Sequence, residues 1–151
     1  MTAKAGLEHQ AHDAAIQLAS QNSSRYTPTK RRIVEFLWHS SHPKSVREIQ
    51  SSLRNIPQSS IYRNIESMVA WGLLTKVTTS ANIACFEVSE MISGSHHHHI
   101  ICAQCGAIRD FMVPVSIESG LDRQLTKIAR NEGFEFLHHQ LDVIGVCGRC
   151  L

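Results

Sequence analysis

The stretch SSIYRNIESMVAWGLLTKVTTSANIACFEV, residues 59–88, decides the fold. From Ser59 to Trp71 the apolar side chains recur at Ile61, Ile65, Met68 and Val69, one face of a helix, and Gly72 supplies the stop. The other face carries Ser60, Arg63, Asn64 and Ser67. Small polar residues around one arginine and one asparagine suit a helix that enters a DNA major groove, although a plain solvated face has the same composition. From Leu73 to Val88 the period changes. Val77, Thr78, Thr79 and Ile83 read as strand, and Ser80-Ala81-Asn82 as the turn of a hairpin. A helix running directly into a hairpin is the second half of a winged helix-turn-helix.

The preceding residues supply the first half. Ser45-x-x-Glu48 is a capping box, followed by Ile49 and Leu53 as the core face of a short helix. Thr27 caps another helix with Pro28 in its first position, and Ile33, Phe36 and Leu37 form its expected buried face. An Ala-rich helix from Leu7 to Gln21 comes before it, ended by Asn22-Ser23-Ser24. Lys30, Arg31 and Arg32 crowd the first turn of the Thr27-capped helix, against its dipole. A nearby phosphate resolves that conflict; solvation of three bases does so too.

After residue 88 the sequence reads as a linker, Ser89–Ser95. A strand over His98–Cys102 and another over Ala107–Val113 follow, then a helix from Ser116 to Asn131 closed by Gly133, then a strand from Phe134 to Val146. The expected fold class is therefore α+β: an N-terminal winged helix-turn-helix domain over 1–88, a hinge over 89–95, and a small C-terminal α/β domain over 96–151.

Two Cys-x-x-Cys pairs, Cys102–Cys105 and Cys147–Cys150, sit in that second part. Four thiolates arranged two by two make a closed tetrahedral zinc site. Redox dithiols and structural disulfides are the alternatives, but Gly106 and Gly148 are placed as in zinc knuckles. His96-His97-His98-His99 runs into the first pair. Side chains alternate along a strand, so His97 and His99 share one face while His96 and His98 share the other, enough for two sites. Glu87, Asp110, Glu118, His42, His138 and His139 are further candidate donors, and imidazole with carboxylate suits zinc, iron, manganese or nickel. Cys85 reads either as a small buried hydrophobe or as a soft ligand that favours zinc.

Charge divides the same way. Residues 1–76 hold ten Lys/Arg and five Asp/Glu, whereas residues 77–151 hold five and eight. A basic half beside an acidic, His/Cys-rich half suggests a polyanion-binding module joined to a metal module. No apolar run approaches the ~20 residues of a membrane span. The amino terminus shows no basic segment followed by a long apolar one, so a cytoplasmic protein without a membrane partner is expected. A small zinc hydrolase using Glu87 or Glu118 as base is a rival, as is a metal store. No nucleophile or base stands in a recognisable catalytic motif, and a store needs neither a basic half nor a winged helix.

Read together, Tyr26-Thr27-Pro28-Thr29-Lys30-Arg31, Ser60-Ile61-Tyr62-Arg63-Asn64-Ile65, Gly72-Leu73-Leu74 and Phe86-Glu87 open a series of motifs. His96 through Gly106, Asp110-Phe111 and His138-His139-x-Leu141-x-x-x-Gly145-x-Cys147-x-x-Cys150 complete it. Over residues 20–150 the chain resembles the ferric uptake regulator superfamily of bacterial metal-dependent repressors. The resemblance implies a homodimer formed by the second domain and palindromic operator DNA bound by the first. It implies a structural Zn2+ on Cys102, Cys105, Cys147 and Cys150. It further implies a regulatory metal at the hinge on His42, Glu87, His97, His99 and Asp110, and in some members a further site on His96, His98, Glu118 and His139. The loop His42-Pro43-Lys44-Ser45 is one residue longer than the usual form. Cys85 loosely resembles the thiolate ligand of zinc uptake regulators, and Asp110 the aspartate of peroxide-sensing members. Regulatory Zn2+ is expected first, on the strength of Cys85, with Fe2+ or Mn2+ and peroxide sensing as alternatives. Operator contacts are expected from Arg63, Asn64, Ser60 and Tyr62 at the groove, and from Lys30, Arg31 and Arg25 on the backbone or minor groove.

Overall fold

The computed structural model describes residues 3–151, with side chains from Leu7 onward. Helix α1 spans Ala3–Gln21 and α2 spans Pro28–Trp38. Thr27 caps α2 through its hydroxyl, which accepts from the Lys30 N–H. Ile33, Val34 and Leu37 are its buried apolar face; Val34 rather than Phe36 points fully inward. Strand β1 (Lys44–Ser45) leads into α3 (Val46–Ser52), whose Ser45–Glu48 capping box is formed in both directions. Helix α4 spans Gln58–Ala70 and buries Ile61, Ile65 and Met68. Gly72, at φ +73°, then reverses the chain in the left-handed region that glycine tolerates.

Strands β2 (Leu74–Thr78) and β3 (Ala84–Val88) form the antiparallel hairpin. Thr79 N–H donates to the Ile83 carbonyl across its turn. The sheet has three strands, in the order β1-β3-β2. Ile33, Ile49, Ile61, Ile65, Met68 and Leu73 fill the space between this sheet and helices α2–α4. Each such burial stabilises by about 1.5–3 kcal/mol. Helix α1 lies against α2, with Ala11, Ala15 and Ala19 inward and His12 Nδ1 2.8 Å from the Tyr26 hydroxyl.

Residues Glu90–Ser93 form a one-turn helix, α5, inside the expected linker, and Gly94 ends it at φ +66°. Strand β4 (His98–Cys102) is the centre of a second sheet, ordered β5-β4-β6, with β5 at Ile108–Phe111 and β6 at Asp142–Gly145. β4 runs antiparallel to β5 and parallel to β6. The expected long final strand is only its last third, because β4 pairs with it only from His99↔Asp142 to Cys102↔Gly145. Helix α6 spans Val115–Asn131 and none of its residues is buried.

The two lobes touch away from the linker. Val77 and Cys85 of the first sheet pack with Ile101 and Ile108 of the second. Beside them the Ser80 hydroxyl donates to the Cys102 carbonyl at 3.0 Å. Among the described residues, no helix is long and apolar enough to cross a membrane.

Candidate metal centres

Among the described residues, three groups of donor atoms converge, the atoms of each within 4.8 Å of one another. The first is Cys102, Cys105, Cys147 and Cys150. Turns at the ends of β4 and after β6 present the two pairs side by side, since those strands are parallel neighbours. Cys105 Sγ lies 3.7 Å from Cys147 Sγ, close to the edge of about 3.8 Å that a tetrahedron with Zn–S bonds of about 2.3 Å requires. Backbone N–H groups of Cys105 and Cys147 lower the Cys102 thiol to about 6. Hydrogen bonding to Cys147 within the cluster pushes Cys150 up to about 12. The four sulfurs share protons, and a cation of matching softness would replace them.

The second group is His96, His98, Glu118 and His139. Glu118, in the first turn of α6, puts Oε1 3.0 Å from His96 Nε2 and Oε2 3.0 Å from His98 Nε2. His139 Nε2 is 2.9 Å from Glu118 Oε1. That nitrogen is nevertheless buried without a hydrogen bond of acceptable geometry. An orphaned buried nitrogen aimed into a carboxylate and two imidazoles fits a divalent cation. His139 Nδ1 is itself held by Asp122 at 3.0 Å. Hydrogen bonds from His98 and His96 keep the Glu118 carboxyl low.

The third group is Glu87, His97 and His99. Glu87 comes from β3 of the first lobe; His97 precedes β4 and His99 lies on it. Glu87 Oε2 is 3.0 Å from His97 Nε2 and 3.3 Å from His99 Nε2. Asp110 Oδ1 stands 3.9 Å from His99 Nε2, paired with it across β4–β5. The hydrogen bond to Glu87 raises His97 to about 9. Burial pushes Glu87 up, but hydrogen bonds from His97 and His99 outweigh it and leave it lowered. Burial likewise raises Asp110. Imidazoles and carboxylates that hold one another in this way are a charge-balanced oxygen and nitrogen set. The donor set fits a divalent cation.

Two expected hinge ligands stand elsewhere. His42 lines the same cleft of about 660 Å3 as Glu87, His97 and Asp110. Its Nε2 is 2.7 Å from Lys44 Nζ and its Nδ1 3.1 Å from Ser41 Oγ, outside the converging group. Cys85 also stands outside that group. It is buried with Val77, Ile101 and Ile108, and burial pushes its thiol to about 11. It is in none of the three donor groups, and its surroundings are those of a small hydrophobe.

On the first lobe, Tyr62 and Arg63 of α4 are exposed. Asn64 Nδ2 donates to the Ser60 carbonyl of its own helix at 2.6 Å. Arg25 is exposed, while Arg31 Nε donates to Glu35 Oε1 at 2.9 Å. Lys30 departs from expectation. It is 8% exposed, with Nζ 5.1 Å from the centre of the Trp71 ring. Its charge is directed at an aromatic face.

Sequence reading missed three supporting carboxylates. Asp122 lies one turn beyond Glu118 on α6, a spacing that signals a shared face. Asp142 Oδ1, 3.4 Å from His99 Nδ1, is placed by the parallel β4–β6 pairing. Glu90, on α5, touches His96 and the His97 backbone, and nothing local in the sequence announces it.

The profile of the Ferric uptake regulator family matches residues 21–144 of this chain. The Peroxide operon regulator of Bacillus subtilis is 29% identical over 140 residues, spanning 90% of either chain. The Peroxide-responsive repressor PerR of Staphylococcus aureus is 29% identical over 152 residues, spanning 95% of this chain and 93% of the other. Among solved structures, the Helicobacter pylori ferric uptake regulator superposes with a TM-score of 0.74 at 22% identity, over 95% of this chain and 93% of that one. It shares this fold.

Proposed function

The chain belongs to the ferric uptake regulator family, whose members are metal-responsive transcription regulators and not enzymes, and from that premise we propose that it represses transcription as a metal-loaded homodimer on inverted-repeat operator DNA. Residues 1–88 are the DNA-binding unit, 89–95 the hinge and 96–151 the metal-binding dimerisation unit, acting in the cytoplasm.

The observation that carries this reading is the third donor group. Glu87 belongs to the lobe that bears α4, whereas His97 and His99 belong to the other. A divalent cation bound there supplies a cross-link between the two lobes. The residues then fix the angle at which α4 is presented, and a twofold pair of such lobes matches two half-sites about one helical turn apart. Arg63 and Tyr62 are among the exposed side chains of that helix, with Arg25 and Arg31 flanking.

Dimerisation is supported by apolar surface that this chain alone leaves uncovered. Val115 and Leu137 are each 80% exposed and Phe134 is 72% exposed. Such a patch marks a protein interface. Cys102, Cys105, Cys147 and Cys150 hold structural Zn2+ in the same lobe.

Cys85 lies outside the converging donors, which bears on the metal proposed for the hinge. Two imidazoles with Glu87 and Asp110, and no thiolate, suit Fe2+ or Mn2+ ahead of Zn2+. The names of the 29% identical relatives point the same way, toward peroxide-responsive regulation. Selection of DNA from a random pool by the zinc-loaded protein, with Mn2+, with Fe2+ under argon, with Zn2+ and with chelator, tests the proposal. Enrichment of an inverted repeat only with Mn2+ or Fe2+ is expected. Enrichment that ignores metal contradicts it.

A further inference from the structure

Glu90 lies between the second and third donor groups and belongs to neither. It opens α5, the single turn that joins the lobes. Its Oε2 is 2.8 Å from His96 Nδ1, and its Oε1 accepts from the His97 backbone N–H at 2.9 Å. His96 and His97 are consecutive, so their rings turn toward different clusters. His96 Nε2 faces Glu118 at 3.0 Å, and His97 Nε2 faces Glu87 at 3.0 Å. One carboxylate therefore holds one histidine of each cluster, with one oxygen for each.

We propose that Glu90 is a positioning residue shared by the two histidine clusters, and that through it occupation of the outer cluster strengthens binding at the hinge. This rests on the reading of both clusters as cation sites. The physical basis is proton placement. A ligating His96 must present an unprotonated Nε2, so its proton sits on Nδ1 and is donated to Glu90 Oε2. That hydrogen bond fixes the carboxylate, which fixes Oε1 on the His97 N–H and leaves the His97 ring directed at Glu87. With the outer cluster empty, His96 is free to leave Glu90, and α5 keeps its packing on α1 and the core but loses the contact that holds the Glu90 carboxylate from the outer side. The hinge cluster then bears an ordering cost that the filled outer cluster has already met.

The two oxygens cannot be replaced singly. In a Glu90→Gln variant the new amide keeps only one acceptor oxygen. If that oxygen takes the His97 N–H, the amide NH2 faces His96 Nδ1 and drives its proton to Nε2, which the outer cluster needs free. If the amide is flipped, NH2 opposes the His97 N–H. Glu90→Ala simply releases both histidines. The conservative amide should therefore be at least as damaging to the outer cluster as the truncation, which a merely structural role would not produce.

Calorimetric titration of Co2+ into the full-length, zinc-loaded protein tests this, with the hinge phase identified as the one lost in Glu87→Ala. In the wild-type background, His139→Ala should weaken the hinge phase about tenfold, within the usual range of coupling between sites. In Glu90→Ala the hinge phase should already be weak, and adding His139→Ala should change it no further. Glu90→Gln should lose the outer phase. If His139→Ala weakens the hinge equally with and without Glu90, or if Glu90→Gln keeps both phases at wild-type affinity, Glu90 does not couple the clusters. If the wild-type protein, its cysteine site already filled with zinc, takes up no Co2+, the cation reading of both clusters fails, and this inference with it.

Discussion

Glu87 lies near the end of the wing hairpin and His97 leads into the second sheet, and their side chains meet at 3.0 Å across the junction of the two lobes. The contact is an ion pair between two potential ligands. Protons and divalent cations therefore compete for the same closed arrangement, and the competition sets the behaviour of the protein with pH.

In the metal-free protein, Glu87 raises His97 from 6.5 to about 9. The stabilisation this gives is complete below 6.5 and is lost as pH rises through about 9. Glu87 is lowered from 4.5, so its share is complete above 4.5 and is lost as pH falls through its depressed value. Both shares coincide between 4.5 and 6.5. Metal-free thermal stability should therefore decline from that window toward 9. Hinge affinity should do the reverse, rising about tenfold per pH unit for each proton displaced. Melts and calorimetric titrations over this range measure both; a hinge affinity that falls with pH contradicts the assignment.

Cys102→Ser or Cys150→Ser should remove the zinc and unfold or monomerise the second lobe, because structural zinc contributes on the order of 10 kcal/mol to folding. Native mass spectrometry reads the outcome directly. A folded, metal-free dimer runs against it.

Arg63→Ala should cost about 1–3 kcal/mol on operator and little on scrambled DNA, as loss of one base contact does. Lys30→Ala should leave the salt dependence of DNA binding unchanged and lower stability by about 1–2 kcal/mol, the worth of a shielded cation–π contact. Binding titrations at several salt concentrations, with melts of each variant, separate the two. A salt slope flattened by about one in Lys30→Ala would instead return Lys30 to the phosphate contacts.

Much of this is legible in the sequence where the signal is local. Thr27-Pro28 and Ser45-x-x-Glu48 place helix starts, and the alternation of His96 to His99 separates two clusters. What escapes depends on partners distant in the chain. Strand β1 has two residues, too few to show a period, and exists because β3 pairs with it. β6 reads too long because its extent is set by β4. Lys30 turns inward because Trp71, forty-one residues later, offers its ring. Cys85 shares a strand with Glu87, so local sequence makes either a candidate ligand; only the fold shows the thiol buried with Ile101 and Ile108.

Cys85→Ser should accordingly leave every metal affinity within about twofold of wild type while lowering stability by about 1 kcal/mol, since it puts a hydroxyl into an apolar contact. Calorimetry and melts suffice. A large loss of Zn2+ affinity at the hinge would restore a sensing role for this thiol.

The central claim is that donors from both lobes, joined at Glu87, His97 and His99, link metal to DNA. Fluorescence anisotropy on the selected operator, with and without Mn2+, measures that link in wild type and in His97→Ala/His99→Ala. Wild type should gain at least about tenfold in operator affinity, or about 1.4 kcal/mol of coupling. The double variant should remain a zinc-loaded dimer and gain nothing. A variant dimer that still tightens on operator when Mn2+ is added contradicts the account.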